Sequence, residues 1–418
     1  MLLRLAIRNL FRHRWRTYLT IGGIAISTAL LIWLLALLTG IYAEMARGTT
    51  SVELGQIQIQ SEEYVERPSI HHHFPVPTEF IQLLADTEGV DALAPRVIIN
   101  GLVGHEEHSR ISRIKGVDPD REAQVTIVEQ ALIAGTWLSD EAPDEMGPRQ
   151  VVLGSVMARS LDTEVGDELV VLAQAADGAL GNELLEVAGI VHTGNIAIDR
   201  QTAFMRLDDV QFMAALEGEV HEIALATSLD GAPVIAAELE RRFHQLQDMP
   251  PLVVRPWQEI ATEIYLMVEL AEQVSWWLLF IIFAIAALGI FNTLRMSTLE
   301  RQREFGVLMG VGLSRSRLMI MIVIEGVILG IFGALIGGLL GIGLAHYTGT
   351  TGLNIALLTG AESLSLMGVA FGDRVHFDIS LRALTMPLIG IVIITSLCAM
   401  WPAAMAVRQE PRDAIAGR

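Results

Sequence analysis

Two clusters, His71-His72-His73 and His105-Glu106-Glu107-His108, are where side chains of this sequence could ligate a metal ion. Zinc needs ligands that converge, and a helical H-E-x-x-H does this by placing two imidazoles one turn apart. The second cluster departs from that pattern, because position 109 is Ser109. The first sits among Pro68, Pro75 and Pro77 and reads as an extended loop. Cys398 is the sole cysteine and completes neither set. No metal ligands are expected. No G-x-S-x-G motif presents a nucleophile. A phosphate-binding loop requires G-x-x-x-x-G-K-[ST], in which a lysine reaches the phosphates. The sole lysine, Lys115, follows Ile114 and lacks that context. No catalytic residue is expected, and if ATP drives this protein another chain binds it.

Interaction chemistry is concentrated in one short stretch. Glu300, Arg301, Arg303 and Glu304 supply both charge signs, and Phe305, Leu308 and Met309 supply an apolar patch around Gly306. Gly310 and Gly312 end the run, and Ser314 can cap the helix that follows. An apolar anchor with a charged rim suits docking onto a soluble protein. The expectation is that Phe305, Leu308 and Met309 seat in a partner's groove. Beyond this stretch, Glu325 interrupts an apolar segment. A carboxylate there is costly unless it faces protein or water. It reads as a hydrogen-bond anchor near the cytoplasmic interface, with a proton or substrate site as the alternative. Gly326, Gly330, Gly333, Gly337 and Gly341 include three pairs spaced by four residues, which lets another helix approach closely, within the chain or across a dimer.

The elements that position these residues are membrane spans. No charge occurs between Arg16 and Glu44, between Glu272 and Arg295, or between Arg382 and Arg408, and Glu325 is the one charge between Arg317 and His346. Each run exceeds the roughly 20 residues a helix needs to cross hydrocarbon. The run after Arg16 is also too long for the ~7–15 apolar residues of a cleavable signal. Residues 44–274 hold 40 acidic and 14 basic side chains, whereas the rest of the chain is net positive. Cationic flanks stay on the cytoplasmic side, so both termini are expected inside and the acidic region outside. An acidic surface also argues against nucleic acid as a partner.

The expected order is an amphipathic helix over 1–16, span one over 17–43, and an extracytoplasmic domain over 44–256. A stalk and span two follow over 257–294, then a cytoplasmic loop over 295–317 and span three over 318–346. An outer loop over 347–383, span four over 384–405 and a tail over 406–418 complete it. Within the outer domain, Gly55–Gln60, Val97–Val103, Ile111–Val117, Val151–Leu153, Leu169–Ala173, Leu184–Val191 and Glu222–Thr227 read as strands. Thr78 can cap a short helix, and Pro233–Leu246 has helical spacing. The fold class is therefore a four-helix membrane protein with a large α+β outer domain of two lobes, the inserted lobe lying near 125–212. From Trp257 to Leu288 no Gly or Pro intervenes, which predicts one continuous helix that enters the membrane at Trp276-Trp277.

The string Asn292-Thr-Leu-Arg-Met-Ser-Thr-Leu-Glu-Arg-Gln-Arg-Glu-Phe-Gly-Val-Leu-Met-Gly-Val-Gly312 resembles a signature of ABC transporter permeases of the MacB, LolC/LolE and FtsX types. Ala6–Thr17 is similar to that family's approach to span one, and Trp401-Pro-Ala-Ala404 with Glu410-Pro-Arg-Asp-Ala414 to its ending. Gly310 and Trp401 depart from the Ala and Tyr usual there. The resemblance implies an inner-membrane subunit that binds no cofactor itself, with ATP and Mg held by a cytoplasmic ABC ATPase that docks on 299–313. It further implies a second permease chain, identical or related, and a periplasmic acceptor or adaptor protein. The implied task is movement or release of a lipoprotein, lipid-like or peptide substrate. The alternative is an FtsX-like signalling subunit that regulates an extracytoplasmic enzyme such as a cell-wall hydrolase.

Overall fold

Alternating apolar residues between positions 57 and 256 build one ten-stranded sheet. The computed structural model describes residues 14–139, 147–243, 250–354, 365–366, 369–370 and 374–408. The amphipathic helix expected over 1–16 therefore lies, up to residue 13, outside the described residues, as do the tail beyond 408 and part of the loop over 347–383. The chain divides into an outer unit, Met45–Met267 with Ala361–Gly372, and a helical unit formed by the remainder.

The first long helix, α1 (Arg14–Thr49), ends in a π-helical turn at Thr50–Leu54. Then come β1 (Ile57–Ser61), α2 (Glu62–Glu66), β2 (Phe74–Pro75) and α3 (Thr78–Ala85). Thr78 was expected to cap α3, but Pro77 takes the cap position and Thr78 is the first helical residue. A long hairpin follows, β3 (Ala92–His105) and β4 (His108–Val117), then α4 (Pro119–Val125) and β5 (Leu132–Gly135). Next are β6 (Arg149–Gly154), α5 (Ser155–Leu161), β7 (Glu168–Gln174) and β8 (Leu180–Val191). The unit continues with α6 (Ile196–Gln201), β9 (Thr202–Arg206), α7 (Leu207–Ala214), β10 (Glu219–Val220) and β11 (Glu222–Ala226). It closes with α8 (Ala232–Phe243), β12 (Leu252–Pro256) and α9 (Trp257–Ile260).

β3 serves two sets of strands. Its first residues pair with β11, and β1 and β12 extend that antiparallel set. Its later residues join a ring: β3 pairs with β4, β4 with β9, β9 with β6, β6 with β8, β8 with β7, and β7 again with β3. Closing a sheet on itself removes exposed strand edges. Residues near 125–212 thus supply β6 to β9, four of the six strands of that ring, and β5, which pairs with β8 outside it. Val103, Ile114, Val151, Leu153, Leu169, Val171, Leu185, Val187 and Met205 fill the core as alternate residues of these strands. The turn between β7 and β8 uses Gly178 at φ +89°, and the Asp177 carboxylate accepts a 2.9 Å bond from the Ala179 amide.

Arg96 on β3 is fully buried. Its Nε and Nη2 donate to Glu122 on α4 at 2.9 and 2.7 Å, and Nη1 donates to Glu222 on β11 at 3.0 Å. Nη1 also donates to the Glu53 carbonyl at 2.7 Å, in the π-helical turn after α1. The Glu53 carboxylate accepts from Arg113 at 2.8 Å and from Lys115, the sole lysine, at 3.5 Å. Burial works against a charge on Arg96, and the two carboxylates outweigh it, so its pKa lies above the ordinary value.

The helical unit holds α10 (Thr262–Glu300), α11 (Gln302–Gly310), α12 (Arg315–Thr351) and α13 (Leu381–Arg408). Helices α1, α10, α12 and α13 are long and apolar enough to cross a membrane. The continuous helix expected from Trp257 is interrupted, because Ala261 leaves the helical region at φ −101° and ψ 50°. The cause is tertiary: the Trp257 ring is buried in the outer core, and its Nε1 donates to the Leu229 carbonyl at 3.3 Å. Helix α10 starts again at Thr262.

His221 is buried beside β3, where its Nδ1 accepts from the Ile98 amide at 3.1 Å and its Nε2 meets the Ile70 carbonyl at 3.2 Å. Burial pushes its pKa down to about 4 from 6.5. The unfolded chain takes up this proton at the higher pH, so the contribution to stability is complete above pH 6.5 and is lost as pH falls toward 4. The loss is on the order of 3 kcal/mol. Thermal unfolding of the detergent-solubilised chain across this window is expected to show it, with a shallower pH slope in His221→Gln. Arg96→Met leaves Glu122 and Glu222 buried without their cation, and a loss of about 3 kcal/mol or more is expected in the same assay.

Candidate coupling site

The stretch rich in charge and apolar groups is helix α11 with its two ends. Arg301 interrupts the chain between α10 and α11 at φ −100° and ψ 14°. Gly312, at φ +103°, turns the chain after α11, and Ser314 precedes α12 in extended conformation without a side-chain cap bond. Helices α11 and α12 therefore form a helical hairpin.

Phe305 does not face outward as expected. It is 2% exposed and packs among Leu318, Met321 and Ile322 of α12 and Ala403 and Ala406 of α13. Leu308 and Met309 pack on the same cluster, and Gly306 is buried. The patch that was assigned to a partner's groove seats α11 on its own chain. The physical reason is that two spans, α12 and α13, leave apolar surface at these ends, and the nearest amphipathic helix covers it.

Arg301 also points inward. Its Nη1 and Nη2 donate to Glu325 of α12 at 2.7 and 3.4 Å, and its Nε donates to Glu304 at 3.3 Å. Its guanidinium lies 5.0 Å from the centre of the Phe305 ring. Arg301 and Glu325 are 8% and 7% exposed. A bidentate arginine–carboxylate pair fixes geometry as well as charge.

The outward face of this element is a different set. Glu300, Arg303, Val307, Gly310 and Val311 are exposed, at spacings of three and four that put them on one side. Val307 and Val311 are 54% and 84% exposed. The residue reading missed both. Their signal was positional, since Val307 falls opposite Phe305 on a helical projection and Val311 follows it by four residues.

The glycines of α12 serve two neighbours. A Cβ on Gly326 would stand 2.6 Å from the Ala399 Cβ, and one on Gly330 would strike Thr395, both of α13. Cβ atoms on Gly333 and Gly337 would strike Ile24, Ala25 and Thr28 of α1, and one on Gly341 would lie 3.0 Å from the Ala29 Cα. These five glycines are thus occupied by helix packing within the chain.

The histidine clusters sit in the outer unit. His105 and His108 are paired residues flanking a two-residue turn, with Glu106 at φ 49°. The His105 Nδ1 meets the Leu161 carbonyl at 3.1 Å. His72 Nδ1 meets the Arg67 carbonyl at 2.9 Å, and His73 pairs with Glu219. Among the described residues no three potential ligands converge for a metal.

Residues 17–241 match the profile of the MacB-like periplasmic core domain, and residues 276–411 that of the FtsX-like permease C-terminal region. The chain is 25% identical to the lipoprotein-releasing system transmembrane protein LolC of Neisseria meningitidis serogroup B, covering 77% of this chain and 75% of that protein. It is 23% identical to LolE, of the same named system, from Haemophilus influenzae, over 94% of this chain and 92% of that one. It is 26% identical to the macrolide export ATP-binding/permease protein MacB of Escherichia coli, over 83% of this chain and 52% of that protein.

Truncation separates the two faces of α11. Phe305→Ala is expected to lower stability by about 3 kcal/mol through loss of core contacts. Val307→Ala is expected to stay within about 0.5 kcal/mol of the parent. Thermal unfolding of both variants in one detergent distinguishes them.

Proposed function

The chain belongs to the FtsX-like permeases that carry a MacB-like periplasmic core domain, and from that premise we propose that it couples ATP hydrolysis by a separate cytoplasmic ATPase to work at the outer face of the membrane. It is an ABC transporter permease with four apolar spans among its described residues, and its relatives and its MacB-like periplasmic core domain support an inner-membrane location with the large domain in the periplasm. The observation that carries the coupling reading is the outward face of α11, where Val307 and Val311 are exposed between Glu300, Arg303 and the Arg315 end of α12. Two apolar side chains within a charged rim have the composition of a small docking surface.

In this reading both termini are cytoplasmic, in keeping with Arg4, Arg8, Arg12, Arg14 and Arg16 at one end and Arg295, Arg303, Arg315 and Arg317 in the loop. The ATPase holds ATP and Mg, and this chain holds neither. Its closure displaces α11, and the long helices Arg14–Thr49 and Thr262–Glu300 carry motion outward along their continuous backbones. A second permease chain, a copy or a relative, completes the assembly. The substrate is a lipoprotein or a similar lipid-bearing molecule, a reading supported by the LolC and LolE relatives and their coverage. A periplasmic acceptor receives it.

The purified chain is expected to show no ATP turnover. Coexpression with an ATPase from the neighbouring genes is expected to give a complex that survives purification and hydrolyses ATP. Val307→Asp with Val311→Asp is expected to lower recovery of that ATPase about tenfold or more without changing the chain's own melting temperature. Full recovery of the ATPase by this double variant counts against docking at α11.

A further inference from the structure

Arg301 combines two properties that nothing in the coupling reading requires. It is the residue at which the backbone breaks between α10 and α11, and its side chain is buried against α12. Two stripes meet at this place. On one side stand Arg301 and Phe305, one helical turn apart. On the other stand Leu318, Met321 and Ile322, then Glu325 one turn further along α12. Guanidinium faces carboxylate and the aromatic ring faces aliphatic side chains, so the stripes fit in one register. A slip of one turn would set Arg301 against aliphatic side chains and leave Glu325 without its cation inside an apolar segment. Buried charges without partners are among the most costly defects a fold can carry.

The geometry points to a latch: the Arg301–Glu325 pair fixes α11 to span three, so that a push received at Val307 and Val311 first moves spans three and four, and spans one and two follow, span one through its contact with the α12 glycines and span two by tilting about Arg301. This rests on the coupling reading above for the origin of the push. The rest of the helical unit supports the path. Phe305 touches both α12 and α13, and Gly326 and Gly330 bring those two helices into close contact, so α11, α12 and α13 share one packed body. Helix α10 has the smallest buried share of the four spans. It ends at Glu300, one residue before the pinned arginine. Arg301 and Glu325 are therefore positioning residues, and the fork of two hydrogen bonds explains why arginine and not lysine suits the place. In this assignment Glu325 holds the hairpin.

The test uses the full chain in lipid nanodiscs, with Cys398→Ala removing the sole native thiol. Spin labels at Val307→Cys and Leu339→Cys report α11 against span three, and labels at Val307→Cys and Leu288→Cys report α11 against span two. The parent is expected to give one narrow distance for the first pair. Arg301→Glu and Glu325→Gln are expected to broaden it, and Arg301→Glu with Glu325→Arg to restore it. With the cytoplasmic ATPase bound, each single variant is expected to lose about tenfold in chain-dependent ATP turnover, and the exchanged pair to regain most of it. Arg301→Lys keeps the charge without the fork and is expected to fall between; it also serves if Arg301→Glu does not fold. A folded Glu325→Gln chain with unchanged distances overturns the latch, whether turnover persists or is lost, the latter pointing to a proton role. A folded exchange variant that restores nothing overturns it as well. The distances need no ATPase, so failure to recruit one removes the coupling reading and leaves the latch to be judged by itself.

Discussion

A buried guanidinium has to be met by carboxylates, and each unit of this protein is organised around one such meeting. Arg96 in the outer unit collects Glu122, Glu222 and the Glu53 carbonyl from three separate elements. Arg301 in the helical unit collects Glu325 and Glu304. In either place the charges cannot be shed to water, so the geometry that pairs them is the geometry the chain must hold. The apolar clusters around both arginines supply most of the burial, and the ion pairs select one register among those that apolar packing alone would permit.

Rigidity and freedom then fall in different parts of each unit. The ring of β3, β4, β9, β6, β8 and β7 has each strand bonded on both sides, which resists shear. Helices α11, α12 and α13 are joined by Phe305 and the α12 glycines. The breaks in regular backbone are single residues, Ala261 and Arg301, one before and one after α10. A helix bounded by two such breaks can tilt with little change elsewhere.

Much of the strand pattern of the outer unit was legible because alternation is local: Gly55–Gln60 announced β1, and Leu169–Ala173 announced the middle of β7. The shared role of β3 was not legible, because its partners β11, β4 and β7 come from distant parts of the chain. The break at Ala261 was hidden for a similar reason. Nothing in Trp257–Leu288 disfavours a helix, and the interruption comes from the Trp257 side chain being held in the outer core. The candidate site divides in the same way. Its place in the chain could be read from the mixed charges after span two, but its facing could not. Phe305 was given to a partner and belongs to the protein's own interior, whereas Val307 and Val311 were passed over and lie at the surface.

Sequence by itself determined the number of apolar spans, the location of the acidic outer region and the position of the short charged helix. Each of these depends on residues that are neighbours in the chain, where hydrocarbon length and helical periodicity act directly. Tertiary structure alone decided which side of α11 is interior, which helices the α12 glycines admit, and which carboxylates receive Arg96 and Arg301. Those choices join residues such as Arg96 and Glu222, or Arg301 and Glu325, that are far apart in sequence. Such partners are chosen by the packing of whole elements, and no local pattern encodes them.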